Sequence, residues 1–199
     1  MQLSKESNRN ETTASGRATS AAKAKTMVLI ALMAAIICIL GPLSLTIPVS
    51  VVPISLTNLA VYFTVYVLGM KRGTLSYLVY LLLGLVGLPV FSGYTGGAGK
   101  LFGPTGGYLI GFIFMALICG FFIEKWQSKI YMHFLGMVLG TVVCYIFGAG
   151  WLAVQAHMGF YQALAAGVLP FIVGDLVKII IALIADPAIY KQLKKAGLN

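Results

Sequence analysis

Two charged side chains stand where charge is expensive. Asp175 and Lys178 lie in "VGDLVKIII", within an apolar run from about Ala165 to Ile184. Three residues apart on a helix, they share a face. A charge at the centre of a bilayer costs about 2.5 to 3.5 kcal/mol on insertion scales. Such a pair therefore persists by mutual neutralisation, as a lock between helices, or by facing a polar cavity. The second alternative is a ligand or ion site, the default for intramembrane charge. There the carboxylate would accept N–H donors and the ammonium would donate to a carbonyl or carboxylate oxygen.

The second chemical feature is "VFSGYTGGAGKLFGPTGGYLIGF", residues 90–112, with eight glycines. A phosphate-binding loop needs Gly, four residues, then Gly-Lys-Ser/Thr. Counting back from Gly99 and Lys100, the first glycine falls on Tyr94, and Leu101 stands where the hydroxyl should be. That motif is absent. What remains is an outer loop followed by a helix opening at Pro104 and Thr105, whose N-terminal amides face that loop. Glycine turns and helix N-termini hold anions. Lys100 is the basic residue on that side, while Phe91, Tyr94, Phe102 and Tyr108 suit a lid over an apolar ligand. Ser92, Gly93 and Gly97 belong to the same candidate lid.

Little else suggests chemistry. Cys38, Cys119 and Cys144 fall in apolar runs without metal spacing, and neither His133 nor His157 has a second ligand at a suitable offset. No metal, cofactor or catalytic set is expected, and with five acidic residues in the chain an enzyme is not. Trp151 reads as an interfacial anchor or as a ring against a ligand. Ala31 and Ala35 in the first apolar run, like Gly107/Gly111 and Gly136/Gly140, have the small-xxx-small spacing that lets helices approach closely.

The elements that must position these residues follow from composition. Of 199 residues, 59% are hydrophobic and 10% charged, where a soluble domain carries about a quarter charged. Mean hydropathy is +0.94. This predicts an all-α integral membrane protein, one bundle (26–196) after a polar, basic, disordered cytoplasmic tail (1–25). Six apolar segments run from about Thr26 to Leu45, Ile54 to Met70, Thr74 to Leu88, Thr105 to Ile123, Ile130 to Ala153 and Ala165 to Ile184. With both termini cytoplasmic, twelve of the fourteen Lys and Arg residues fall inside, Lys100 outside and Lys178 within a span. The net charge of +9 is thereby a topology signal, and no nucleic-acid partner is expected. No internal repeat suggests an inverted-repeat carrier.

"GLPVFSG…GKLFGPTGGYLIGF", with "VPISLTNL" upstream and "FIVGDLVK" downstream, resembles the biotin-specific S component (BioY) family of energy-coupling factor transporters, over roughly residues 27–196. The resemblance implies a six-helix vitamin-capture subunit in a prokaryotic cell membrane. It would bind biotin from outside and deliver it by toppling in the bilayer, driven by one transmembrane T subunit and two ATPase subunits. Asp175 and Lys178, with Phe91, Ser92, Gly93, Tyr94, Gly97, Lys100 and Trp151, would form the biotin site. Ala31 and Ala35 match the positions used to dock on the T subunit. Thr57 stands where the family usually carries Gln. Biotin suits the residues: its ureido ring has two N–H donors and a carbonyl, its bicycle is apolar and its tail ends in a carboxylate. Asp175 and Lys178 could engage the ureido group, with the carboxylate nearer the glycine loop or Lys100, or Lys178 could take the carboxylate. Two alternatives remain: a stand-alone secondary carrier for a small carboxylic acid using Asp175 and Lys178, and a scaffold membrane protein in which that pair merely locks helices.

Overall fold

The computed structural model describes residues 2–45, 52–127 and 129–195. Helix α1 runs Gln2–Leu40, and its apolar part, Ala22–Leu40, is long and apolar enough to cross a membrane. The helix continues back through the tail expected to be disordered. Alanine, lysine and glutamate there are good helix formers, so a polar sequence of this composition can be helical. Leu29 and Met33 on α1 pack against Val67 and Leu68, and Ser76 donates to the carbonyl of Ile30 at 3.0 Å.

A short antiparallel pair, β1 (Ser44–Leu45) and β2 (Ile54–Ser55), connects α1 to α2 (Thr57–Leu85). Helix α2 contains two of the expected segments, separated by a break at Gly69 with φ 78° and ψ −179°. Only glycine adopts that conformation readily. The freed Met70 N–H is taken by the Glu124 carboxylate at 2.7 Å. The first arm, Thr57 to Leu68, is about 18 Å long, well short of the ~30 Å of hydrocarbon. Its first turn brings Asn58 to Asp175, 2.8 Å away. The arms cross closely: a Cβ on Gly73 would lie 2.8 Å from the Val65 Cα.

After the one-turn α3 (Ala98–Leu101) come α4 (Gly106–Lys125), α5 (Ile130–Gln155), the short α6 (Phe160–Gly167) and α7 (Leu169–Lys195). Helices α4 and α5 are long and apolar enough to span, and α6 and α7 are so only as a pair, bent by 44° at the break between them. Seven helices thus replace the six expected segments among the described residues, because α2 holds two of them, α3 is an extra turn and α6 breaks from α7. The α4–α5 contact uses the glycine pairs. A Cβ on Gly111 would lie 3.0 Å from the Cys144 Cα, and one on Gly140 would lie 2.8 Å from the Cys119 Sγ. Buried tyrosines tie the bundle: Tyr77 donates to the Leu109 carbonyl and Tyr108 to the Gly167 carbonyl, both at 2.7 Å. Val28, Leu82, Phe114 and Ile146 point outward as a lipid-facing coat.

Candidate functional site

The first arm of α2, helices α4, α5 and α7, and the β2 strand enclose a cavity with about 680 Å³ of unfilled space, mouth included. Along α4 its wall runs from Thr105 through Tyr108, Leu109 and Phe112 to Met115. These residues recur at helical spacing on one face and cover about 15 Å of axis. The cavity is therefore a slot lying along the helices. Its sides are apolar and its polar groups are gathered at particular points.

One such point is the Asp175–Lys178 pair, both residues buried. Lys178 Nζ lies 3.0 Å from Asp175 Oδ1, the separation that i, i+3 spacing allows. Asn58 Nδ2 donates to the same Oδ1 at 2.8 Å, and the Tyr145 hydroxyl donates to Oδ2 at 2.6 Å. The ammonium also donates to the Ser55 carbonyl at 2.6 Å. Three donors converge on one carboxylate and satisfy its oxygens in an apolar wall. The early start of α2 brings Asn58 here, α5 brings Tyr145, and Lys178 ties down the strand through Ser55. Nearby, Tyr62 and Thr141 share a 2.6 Å hydrogen bond, with Thr141 on the cavity wall.

Of the residues singled out in the sequence, Asp175, Lys178, Ser92 and Tyr108 line this cavity, as do Thr57, Thr105 and Cys144. The others are placed differently among the described residues. Phe91 is fully buried, its ring 5.6 Å from that of Tyr80, and it packs into the space left by Gly84. It anchors the outer loop to the core. Gly93 and Gly97 have φ of 75° and 87° and shape the loop backbone, while Tyr94 is exposed, itself at φ 56°. Gly97 N–H donates to the Gly84 carbonyl at 2.7 Å. Lys100 sits half-buried on α3, where partial burial lowers its pKa, and it is not part of the cavity wall. Trp151 donates from Nε1 to the Gly103 carbonyl at 2.9 Å. It fixes the turn that opens α4 and does not stack in the cavity. Ala31 and Ala35 are both exposed on α1.

Sequence reasoning passed over Asn58, Tyr145 and Ser55 as site residues. Asn58 did have a signal, an amide in an otherwise apolar segment. Tyr145 had none, since ten tyrosines are spread over the chain and only helix packing selects this one.

Fold and site together define a polytopic helical membrane protein with an apolar pocket between its helices and a buried charged pair in the pocket wall. The comparisons narrow this class. The sequence profile of the BioY family matches residues 11–195, and the chain belongs to that family. It is 36% identical over 171 residues to the biotin transporter BioY2 of Lactococcus lactis, covering 86% of this chain and 93% of that one. It is 41% identical over 138 residues to the biotin transporter BioY of Thermotoga maritima, covering 69% of this chain and 80% of the other. Its fold matches the crystal structure of the S-component for biotin from an ECF-type ABC transporter with a TM-score of 0.79 at 35% identity. That match covers 85% of this chain and 92% of the other.

Proposed function

We propose that the protein is the substrate-binding subunit of an ECF-type transporter. It captures biotin from outside a prokaryotic cell and delivers it inward by reorienting while docked on a T subunit and two ATPases. The observation that carries the ligand reading is the Asp175 carboxylate held with Lys178, Asn58 and Tyr145 in the cavity wall. A cyclic urea matches it, because its N–H groups can replace donors to Asp175 and its carbonyl can accept from Lys178. The apolar flanks of Phe112, Leu109 and Phe171 suit a sulfur-containing bicycle.

Catalysis is not required of such a subunit, and ATP hydrolysis belongs to its partners. Transport instead needs a docking face, and exposed Ala31 and Ala35 offer a smooth one on α1. Calorimetry with biotin on the purified protein tests the ligand. Wild type gives a saturable signal, and Asp175→Asn weakens it by about 10-fold or more, as expected for a charge-assisted bond. A flat wild-type thermogram sinks the biotin reading. Tight binding of thiamine or riboflavin in its place would change the substrate and keep the architecture.

A further inference from the structure

A second cavity opens at the other end of α2's first arm, α4 and α5. It has about 660 Å³ of unfilled space, mouth included, and Tyr66, Gly69, Glu124, Gln127 and His133 stand in its wall. On each of the three helices it lies eight residues from the first cavity: Tyr66 from Asn58, Ile123 from Met115, His133 from Thr141. Eight residues are about 12 Å of axis. Halfway between, Tyr62, Cys119 and Met137 form a layer, one from each helix and each fully buried. The two cavities share no lining residue, and the biotin reading gives the second one no function.

Its wall is rich in acceptors. The break at Gly69 ends the first arm of α2 here, which puts the negative end of that arm's peptide dipoles at the cavity. Glu124 adds a carboxylate. Its Oε1 accepts from the Met70 N–H at 2.7 Å, and its Oε2 has no partner among the described residues. His133 Nε2 lies 3.1 Å from the Trp126 carbonyl. That oxygen can only accept, so a neutral ring carries its proton on Nε2 and Nδ1 is an acceptor. Nδ1 is buried without a partner, on a residue only 3% exposed, and Tyr66 meets the ring edge-on with centroids 5.4 Å apart. Such a wall suits a positively charged group rich in N–H. The rim has the opposite sign. Lys71 and Arg72 follow the Gly69 break, Lys125 follows Glu124, and Lys129 precedes α5, its carbonyl accepting from the His133 N–H at 3.4 Å. All four are exposed. Trp126 and the exposed Tyr131 lie at the same end, as aromatic residues do at headgroup level, and the Lys and Arg asymmetry assigns this end to the cytoplasm. The rim would repel a simple cation and Glu124 a simple anion. A ligand with an ammonium for the wall and a phosphate for the rim satisfies both.

We infer that this second cavity is a binding site for a phosphoethanolamine group, with the ammonium on Glu124 Oε2 and His133 Nδ1 and the phosphate among the cations of the rim. Two sources offer that chemistry: the headgroup of an aminophospholipid in the cytoplasmic leaflet, and soluble phosphoethanolamine. The outward-pointing Phe121 and Phe134 beside the cavity would lie along the acyl chains, and basic pockets between helices at this depth suit lipid headgroups. The inference goes beyond the biotin reading and does not depend on it.

Native mass spectrometry of the purified chain tests the inference, with dioleoyl phosphatidylethanolamine, phosphatidylcholine and phosphatidylglycerol, and with soluble phosphoethanolamine. Wild type binds the ethanolamine lipid about 10-fold more tightly than the choline lipid, whose methylated nitrogen has no N–H to donate. It also prefers the ethanolamine lipid to the glycerol lipid, which brings the phosphate without the cation. Glu124→Gln keeps an acceptor for the Met70 N–H and removes the charge. The preference over choline then falls to about 2-fold or less, while biotin affinity, read by calorimetry, stays unchanged. Lys71→Gln with Arg72→Gln weakens all three lipids alike. Soluble phosphoethanolamine that binds as tightly as the lipid makes the free compound the ligand, and binding of the lipid alone makes it the bilayer. Failure of both overturns the inference, as does equal binding of ethanolamine and choline lipids or a preference that survives Glu124→Gln. Tighter binding of the glycerol lipid also overturns it, since a basic patch alone would then suffice. A wild type that fails to bind biotin removes the vitamin reading and leaves this inference standing.

Discussion

At the residue scale, the Asp175–Lys178 pair admits two roles that mutation can separate. Lys178→Met leaves a buried carboxylate short of its cation, and breaking a buried pair from one side costs about 3 to 5 kcal/mol. A large drop in melting temperature is expected. Changing both partners, Asp175→Asn with Lys178→Met, removes the unpaired charge and should recover most of that loss. If the pair only locked helices, the double variant would bind biotin normally. As part of a ureido site it does not, and calorimetry on the stable double variant decides the matter. Tyr145→Phe, which removes a 2.6 Å donor from Asp175, should weaken biotin by about 10-fold while leaving the fold intact. An unchanged affinity would place Tyr145 outside the recognition network.

Elements carry two further predictions. The first is the V of helix α2, whose arms cross at Gly73 against Val65. A methyl group there meets backbone, which cannot move as a side-chain tip does. Gly73→Ala should cost about 1 to 3 kcal/mol and show as a lower melting temperature with weaker biotin binding, because the first arm positions Asn58. A wild-type melting curve would refute that geometry. The second is α1. Leu29, Met33, Ala34 and Ile37 face the bundle and are buried, while Ala31 and Ala35 face out. Ala31→Leu with Ala35→Leu should leave biotin affinity unchanged and abolish ATP-dependent uptake in cells that express the coupling module. Normal uptake would relocate the docking face.

At the scale of the whole molecule, the described fold sets an open-mouthed cavity among its helices, with a bent helix pair (α6–α7) and a broken helix (α2) around it. The proposed capture role has the protein bind ligand alone and move it only with the T subunit and ATPases. Purified protein in liposomes should therefore retain biotin without accumulating it, whatever proton or sodium gradient is applied. Uptake should appear on reconstitution with the T subunit, the ATPases and ATP. Gradient-driven accumulation by the chain alone would instead establish a secondary carrier.

Much of this was legible in the chain because membranes impose one-dimensional rules. Hydropathy, the asymmetry of Lys and Arg, and the cost of Asp175 and Lys178 in hydrocarbon are properties of local sequence, and they yield the membrane class, the segments and the charged half of the site. The polar tail marked where the apolar bundle begins, but not that helix α1 would continue back through it. The "GPTGGYLIGF" stretch carried the family. Tertiary structure decided what depends on distance between segments. It shortened the first arm of α2 so that Asn58 meets Asp175, and it chose Tyr145 from ten tyrosines. It turned Phe91 and Trp151 into braces for the outer loop, and it left Lys100, which had seemed the natural anion holder, off the cavity wall. The reason is physical: the price of burying a charge is set along one helix, but the partners that make it tolerable come from wherever packing brings the other helices.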